Sequence, residues 1–258
     1  MARMVRIVLL VCGVFLWPAA GMADNVRVLA AGSLTGAFTA MANDFPGVEP
    51  VFGPSGVLRE RIEHGEAADI LASADMTQPR ALAKAGQPVI MFTRNRLCAL
   101  GRPGLTQDNL LDRMLDPAVR LATSTPGADP GGDYAWAIFA RADAVHPGAR
   151  AILEAKALKL VGGKDTPLLV PGKGAVQGVF LADRADIMLG YCSGSAAVMQ
   201  DVPGLVSVPV PELLSVGPAY GMVVLSDRPA AARFALFVVS EQGQAILQKF
   251  GFEPVGLP

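Results

Sequence analysis

Histidine is almost missing from this sequence, with two in 258 residues, and tyrosine and cysteine number three each. Neither His64 nor His146 has an evident carboxylate partner in sequence, and no cysteine cluster accompanies them. A zinc site of standard spacing and a histidine-based nucleophile pair are therefore both missing. Charge is sparse as well, at 17% Asp, Glu, Lys and Arg with a formal net charge of −1, and no basic stripe interrupts it. Nucleic acid and anionic membrane surfaces are not expected partners of such a chain. After the first two dozen residues no stretch is long and apolar enough to span a bilayer.

What is present begins with a compartment signal. Arg3 and Arg6 precede an apolar run from Ile7 to Trp17, then Pro18, and Gly21 and Ala23 frame a cleavage site before Asp24. The pattern predicts a secretory signal peptide over residues 1–23 and a periplasmic product. Its removal takes away two arginines and no acid, moving the formal charge from −1 to −3. Cys12 leaves with it. Cys98 and Cys192 remain in a compartment that permits a disulfide, and the sequence alone leaves open whether they bridge or stay as buried thiols.

Strand-like and helix-like segments alternate along the rest of the chain. Val26 to Ala31 reads as a buried strand that stops at Gly32-Ser33 and gives way to the helical pattern LTGAFTAMANDF. PVFGPSG leads into VLRERIEHG, with Val57, Leu58 and Ile62 on one face, and ADILASAD follows as a second strand ending in polar residues. Further strands are read at Arg96 to Leu100, VRLATS, ADIMLGY and AYGMVVLS. The run AAARFALFVVSEQGQAILQKFG reads as helical and ends near Gly251. Such alternation predicts an α/β protein with mostly parallel sheet covered on both faces. The turn Gly101-Arg102-Pro103-Gly104 reads as a hinge or a boundary between two lobes.

Ligands of α/β proteins gather at the carboxyl ends of strands. Ser33 in AAGSLTGAF, Ser55 in GPSGVLRER and Gly131 in ADPGGDYAW each stand at a predicted helix start, where unpaired N–H groups and a partial positive charge can hold an anion without Lys or Arg. Singly, each serine is an ordinary N-cap; the case for a site rests on their recurrence at equivalent places. Tyr191, at a strand end in IMLGYCSGS, offers a phenolic donor. Enzymatic patterns fail: GYCSGS is not a G-x-S-x-G elbow, and Pro171-Gly172-Lys173-Gly174 lacks the Ser or Thr that would follow the lysine of a phosphate-binding loop. Asp69, Asp75, Asp183 and Asp186 read as caps and solvated faces.

Taken together, AAGSLTGAF, PSGVLRERIEHGEAADILASAD, ADPGGDYA, GYCSGSA and KFGF resemble the periplasmic molybdate-binding proteins of ABC importers, the ModA family, over nearly the whole mature chain. The resemblance implies an α/β, type II periplasmic binding protein fold, in which two α/β lobes are joined by crossover strands with the ligand in the cleft. One lobe would comprise residues 24–100 and 219–258, the other residues 101–218. It implies an oxyanion, molybdate or tungstate, held by the hydroxyls and N–H groups of Ser33 and Ser55, the N–H groups of Gly131 and Val176, and the hydroxyl of Tyr191. It further implies a monomeric, non-enzymatic protein without a cofactor or bare metal ion, delivering its ligand to a membrane permease. Asp129 and Asp133 depart from the family pattern and are expected to face away from the anion or to cap the helix at Tyr134. The alternatives are another ligand on the same fold (a different oxyanion, a ferric ion or a small organic acid) or an exported enzyme; three tyrosines are few for a ferric site.

Overall fold

A computed structural model describes residues 25–255; the predicted signal peptide lies outside them. In the first sheet β1 (Val26–Ala31), β2 (Val48–Gly53), β3 (Ile70–Ser73), β4 (Ile90–Arg94) and β10 (Ala219–Val224) stand in the order β2-β1-β3-β10-β4. In the second, β5 (Leu97–Gly101), β6 (Leu121–Ser124), β7 (Leu158–Val161), β8 (Ile187–Tyr191) and β9 (Val206–Pro209) stand in the order β7-β6-β8-β5-β9. The helices are α1 (Thr35–Asp44), α2 (Ser55–Glu63), α3 (Thr77–Leu82), α4 (Leu110–Leu115), α5 (Pro130–Val145), α6 (Ala149–Lys156), α7 (Ala175–Leu181), α8 (Cys192–Asp201), α9 (Pro229–Val239) and α10 (Glu241–Lys249).

Both sheets are built to one plan. Each has an antiparallel strand in fourth position, β10 between β3 and β4 and β5 between β8 and β9. Those are the strands that enter a lobe directly after the chain has crossed from the other, so they arrive running against their neighbours. The sheets are accordingly mixed, where the sequence pattern suggested mostly parallel pairing.

The first crossing occurs at Asn95 and Arg96, a few residues before the sequence boundary. Residues 97–101 are buried throughout and pair with β8 on one side and β9 on the other, so they belong to the second sheet, and the turn at Gly101–Gly104 follows them. The two crossing segments are stitched together by Asn95 N–H donating to the Pro218 carbonyl at 2.9 Å and Val210 N–H donating to the Leu97 carbonyl at 3.0 Å.

The core of the first lobe packs α1, α9 and α10 against its sheet. Phe38, Phe92, Phe234 and Tyr220 are fully buried there, with ring centroids 5.9–6.2 Å apart in tilted and edge-on pairs. Each such ring stabilises the fold by roughly 1.5–3 kcal/mol through burial. The C-terminal helical run is made of two helices, α9 and α10. Ser240 adopts extended backbone, and its hydroxyl accepts the Gly243 N–H at 3.3 Å, an N-cap that starts a new helix. Gly243 then lies against the Phe237 and Val238 carbonyls, where a Cβ would come within 2.2 Å and 2.7 Å. Cys98 and Cys192 form a disulfide with Cα atoms 4.9 Å apart, joining β5 to the start of α8.

Candidate functional site

The carboxyl ends of β1, β2 and β3 face those of β6, β7 and β8 where the two lobes meet. β1 ends in a single 3-10 turn, Gly32–Leu34, which holds Ser33 half-buried. Its hydroxyl lies 2.9 Å from the Tyr220 phenol. Tyr220 in turn accepts from Asn95 Nδ2 at 3.2 Å, and the second hydrogen of the same amide goes to the Ser193 hydroxyl at 2.8 Å. Asn95 Oδ1 accepts the Arg96 N–H at 2.8 Å, which fixes the amide's orientation. Since Asn95 donates to Tyr220, the phenol can pass its own proton toward Ser33 and leave the serine O–H free to donate onward.

Ser55 is the first residue of α2, 1% exposed, and its hydroxyl oxygen accepts the Ala74 N–H at 3.1 Å. The next two N–H groups of the helix, Gly56 and Val57, both reach the Ala128 carbonyl of the second lobe, at 2.9 Å and 3.3 Å. The approach requires glycine, because a Cβ at position 56 would stand 2.4 Å from the Gly127 carbonyl oxygen. The lobes also touch through Tyr134, whose phenol donates to the Ala74 carbonyl at 3.0 Å, and through the ion pair Lys164–Glu60 at 3.0 Å on the exposed rim.

Gly131 sits in the first turn of α5, buried. Asp129 is the N-cap, and its Oδ1 accepts the Gly131 N–H at 2.9 Å. Asp133 accepts the Gly127 N–H at 2.9 Å. Both acids thus cap this segment, but Asp129 does so on the N–H that the family resemblance gives to the ligand. Its carboxyl is pushed up to about 6, chiefly by burial, against the opposing pull of the Gly131 N–H and the Ser124 hydroxyl. Burial raises Asp133 in the same direction.

Tyr191 ends β8. Its hydroxyl is buried and has no hydrogen-bond partner among the described residues. Its ring stands 5.7 Å from that of Tyr220 and 6.3 Å from that of Tyr134, so all three tyrosines of the chain meet at the junction. Burial raises all three phenols, which stay protonated donors at neutral pH. Val176 lies in the first turn of α7, half-buried against the cluster of Val179, Phe180 and Val198. Among the described residues no hydrogen bond or ring contact joins it to the other four.

Ser33, Ser55, Gly131 and Tyr191 are thus brought to one junction by elements of both lobes. Sequence reading did not single out Tyr220, Asn95, Ser193 or Tyr134. Tyr220 was legible only as part of a strand, and Asn95 not at all, because their roles come from contacts 98 to 187 residues away in the chain. No helix among the described residues is long and apolar enough to cross a membrane, and no group of three or more His, Cys, Asp or Glu side chains there could hold a metal ion.

Residues 26–253 match the family of bacterial extracellular solute-binding proteins. The chain belongs to that family. Among similar sequences, uncharacterized protein PM1146 of Pasteurella multocida is 33% identical over 240 residues, which cover 89% of this binding protein and 98% of the relative. The molybdate-binding protein ModA of Mycobacterium tuberculosis is 26% identical over 243 residues, 89% of this chain and 85% of that one. The periplasmic molybdate-binding protein of Azotobacter vinelandii superposes with a TM-score of 0.70 at 18% identity, covering 91% of this chain and 100% of the other. The two lobes and their twin sheets are the type II periplasmic binding protein fold.

Proposed function

We propose that this solute-binding protein captures a tetrahedral oxyanion, molybdate or tungstate, between its lobes in the periplasm and delivers it to the permease of an ABC importer, without catalysing a reaction on it. One observation carries the reading: the buried Tyr191 hydroxyl, with no hydrogen-bond partner among the described residues, stands beside the Tyr220–Ser33 pair at the junction of the two lobes. A buried donor without an acceptor is costly unless a ligand accepts from it. An anion made only of acceptors fits a set of neutral donors, namely the Ser33, Ser55 and Tyr191 hydroxyls with the N–H groups of Ser33 and Ser55. Gly131 and Val176 enter the set through the family resemblance alone, the Gly131 N–H being held by Asp129 in this structure. The likeness to ModA supports the same choice of ligand.

Closure follows from this arrangement. The anion docks on one lobe, and the other completes the shell by rotating about the crossing at Asn95 and Arg96, so the ligand's own contacts stabilise the closed form. Selectivity then rests on size and donor geometry. Calorimetric titration of the mature protein with molybdate, tungstate, sulfate and phosphate tests the reading. One-to-one binding of the first two with little response to sulfate is expected; a protein that binds none of the four would overturn it.

A further inference from the structure

Asp129 places an acceptor where the proposed ligand needs a donor. Its Oδ1 holds the Gly131 N–H at 2.9 Å, and its other oxygen is packed against Gly162, where a Cβ would come within 2.5 Å. The side chain fits only because residue 162 has none. The groups that face it from the surrounding elements are Ser124 at the end of β6, Asp133 on its own helix, Asp75 from the first lobe, and the phenols of Tyr191 and Tyr220, on both of which its charge acts. The charged ones among these, Asp133 and Asp75, are both acids.

Resting on the oxyanion reading, we propose that Asp129 is a specificity-determining residue that couples capture to a proton: each fully deprotonated anion is taken up together with one proton, which sits on Asp129. The proton comes from solvent and converts the carboxylate to the neutral acid. One carboxyl oxygen keeps the Gly131 N–H, and the new O–H donates to an oxygen of the anion; release of the anion returns the proton to solvent. Without the proton a dianion would meet a fixed negative charge in an enclosed site. Asp133, which holds the Gly127 N–H on the exposed loop, and Asp75, which holds the Ser73 hydroxyl and the Gln78 N–H, do not sit on an N–H that the family resemblance gives to the ligand. Burial has already brought Asp129 up to about 6, so a nearby dianion completes its protonation near neutral pH.

Titrating the mature protein with molybdate at pH 7.5 in buffers of different ionisation enthalpy counts the protons taken up, and repeating it between pH 6.5 and 8.5 follows the affinity. Uptake of about one proton per anion and a Kd rising close to tenfold per pH unit are expected. Asp129→Asn keeps an acceptor for Gly131 and supplies a permanent N–H donor, so it should take up no proton and bind with a flat pH profile. Tight binding by the unaltered protein with no proton uptake, or unchanged uptake in Asp129→Asn, would overturn the inference and leave the oxyanion reading standing. Failure to bind molybdate or tungstate anywhere in the series would overturn both.

Discussion

Ser33 and Tyr220, 187 residues apart in the chain, meet hydroxyl to phenol at 2.9 Å. One follows the first strand of the fold and the other lies on the strand that returns from the second lobe. Behind them Asn95 supplies a hydrogen bond from the crossing itself. The candidate anion donor is thus coupled to the hinge by two hydrogen bonds.

Substituting Tyr220→Phe should therefore act on both stability and binding. It leaves an Asn95 hydrogen without its acceptor in a buried place, costing about 1–3 kcal/mol in urea unfolding. It also removes the partner that orients the Ser33 O–H, so molybdate affinity should drop. Ser33→Ala should weaken binding by about 1–3 kcal/mol with a smaller effect on unfolding, because Ser33 is only half-buried.

Tyr191→Phe should separate the two readouts. The hydroxyl has no partner among the described residues, so its loss should leave thermal stability unchanged or raise it by about 1 kcal/mol. Affinity for the oxyanion should fall by about 1–3 kcal/mol if the phenol donates to it. A destabilised Tyr191→Phe protein with unaltered affinity would count against its place in the site.

Asp129 should impose a pH dependence on the protein without oxyanion. Its carboxyl titrates near 6 when folded, above the ordinary value of 3.8, so the folded state holds the proton more tightly than the unfolded one. The favourable contribution is present below about pH 4 and is lost as pH rises to about 6, on the order of 2–3 kcal/mol in total. Comparing urea midpoints of the unaltered protein and Asp129→Asn at pH 4 and pH 7 isolates the effect. The variant should gain relative stability at the higher pH.

Breaking the Cys98–Cys192 bridge should cost stability more than binding. The bond closes a loop of 94 residues, and its loss should lower unfolding free energy by about 2–4 kcal/mol. Tyr191 is also held in register by the pairing of Leu97 with Tyr191 in the β5–β8 ladder, so a Cys98→Ala/Cys192→Ala protein should retain its oxyanion affinity at low temperature. Thermal unfolding followed by calorimetric titration checks both halves.

The sequence by itself determined the α/β alternation, the exported class of protein, and the positions of the serine and glycine helix starts. These are local signals, fixed by hydrophobic period and by the few residues that begin a helix, and they survive without knowledge of distant neighbours. Tertiary structure decided the rest. The crossing at Asn95 depends on which strands pair with residues 97–101, and the bridge between Cys98 and Cys192 depends on two strands coming side by side. The meeting of Tyr134, Tyr191 and Tyr220 and the carboxylate of Asp129 on the Gly131 N–H arise from packing the lobes and from the missing side chain at Gly162. The candidate site shared between the lobes is defined by distances across the fold, and no periodicity along the chain encodes them.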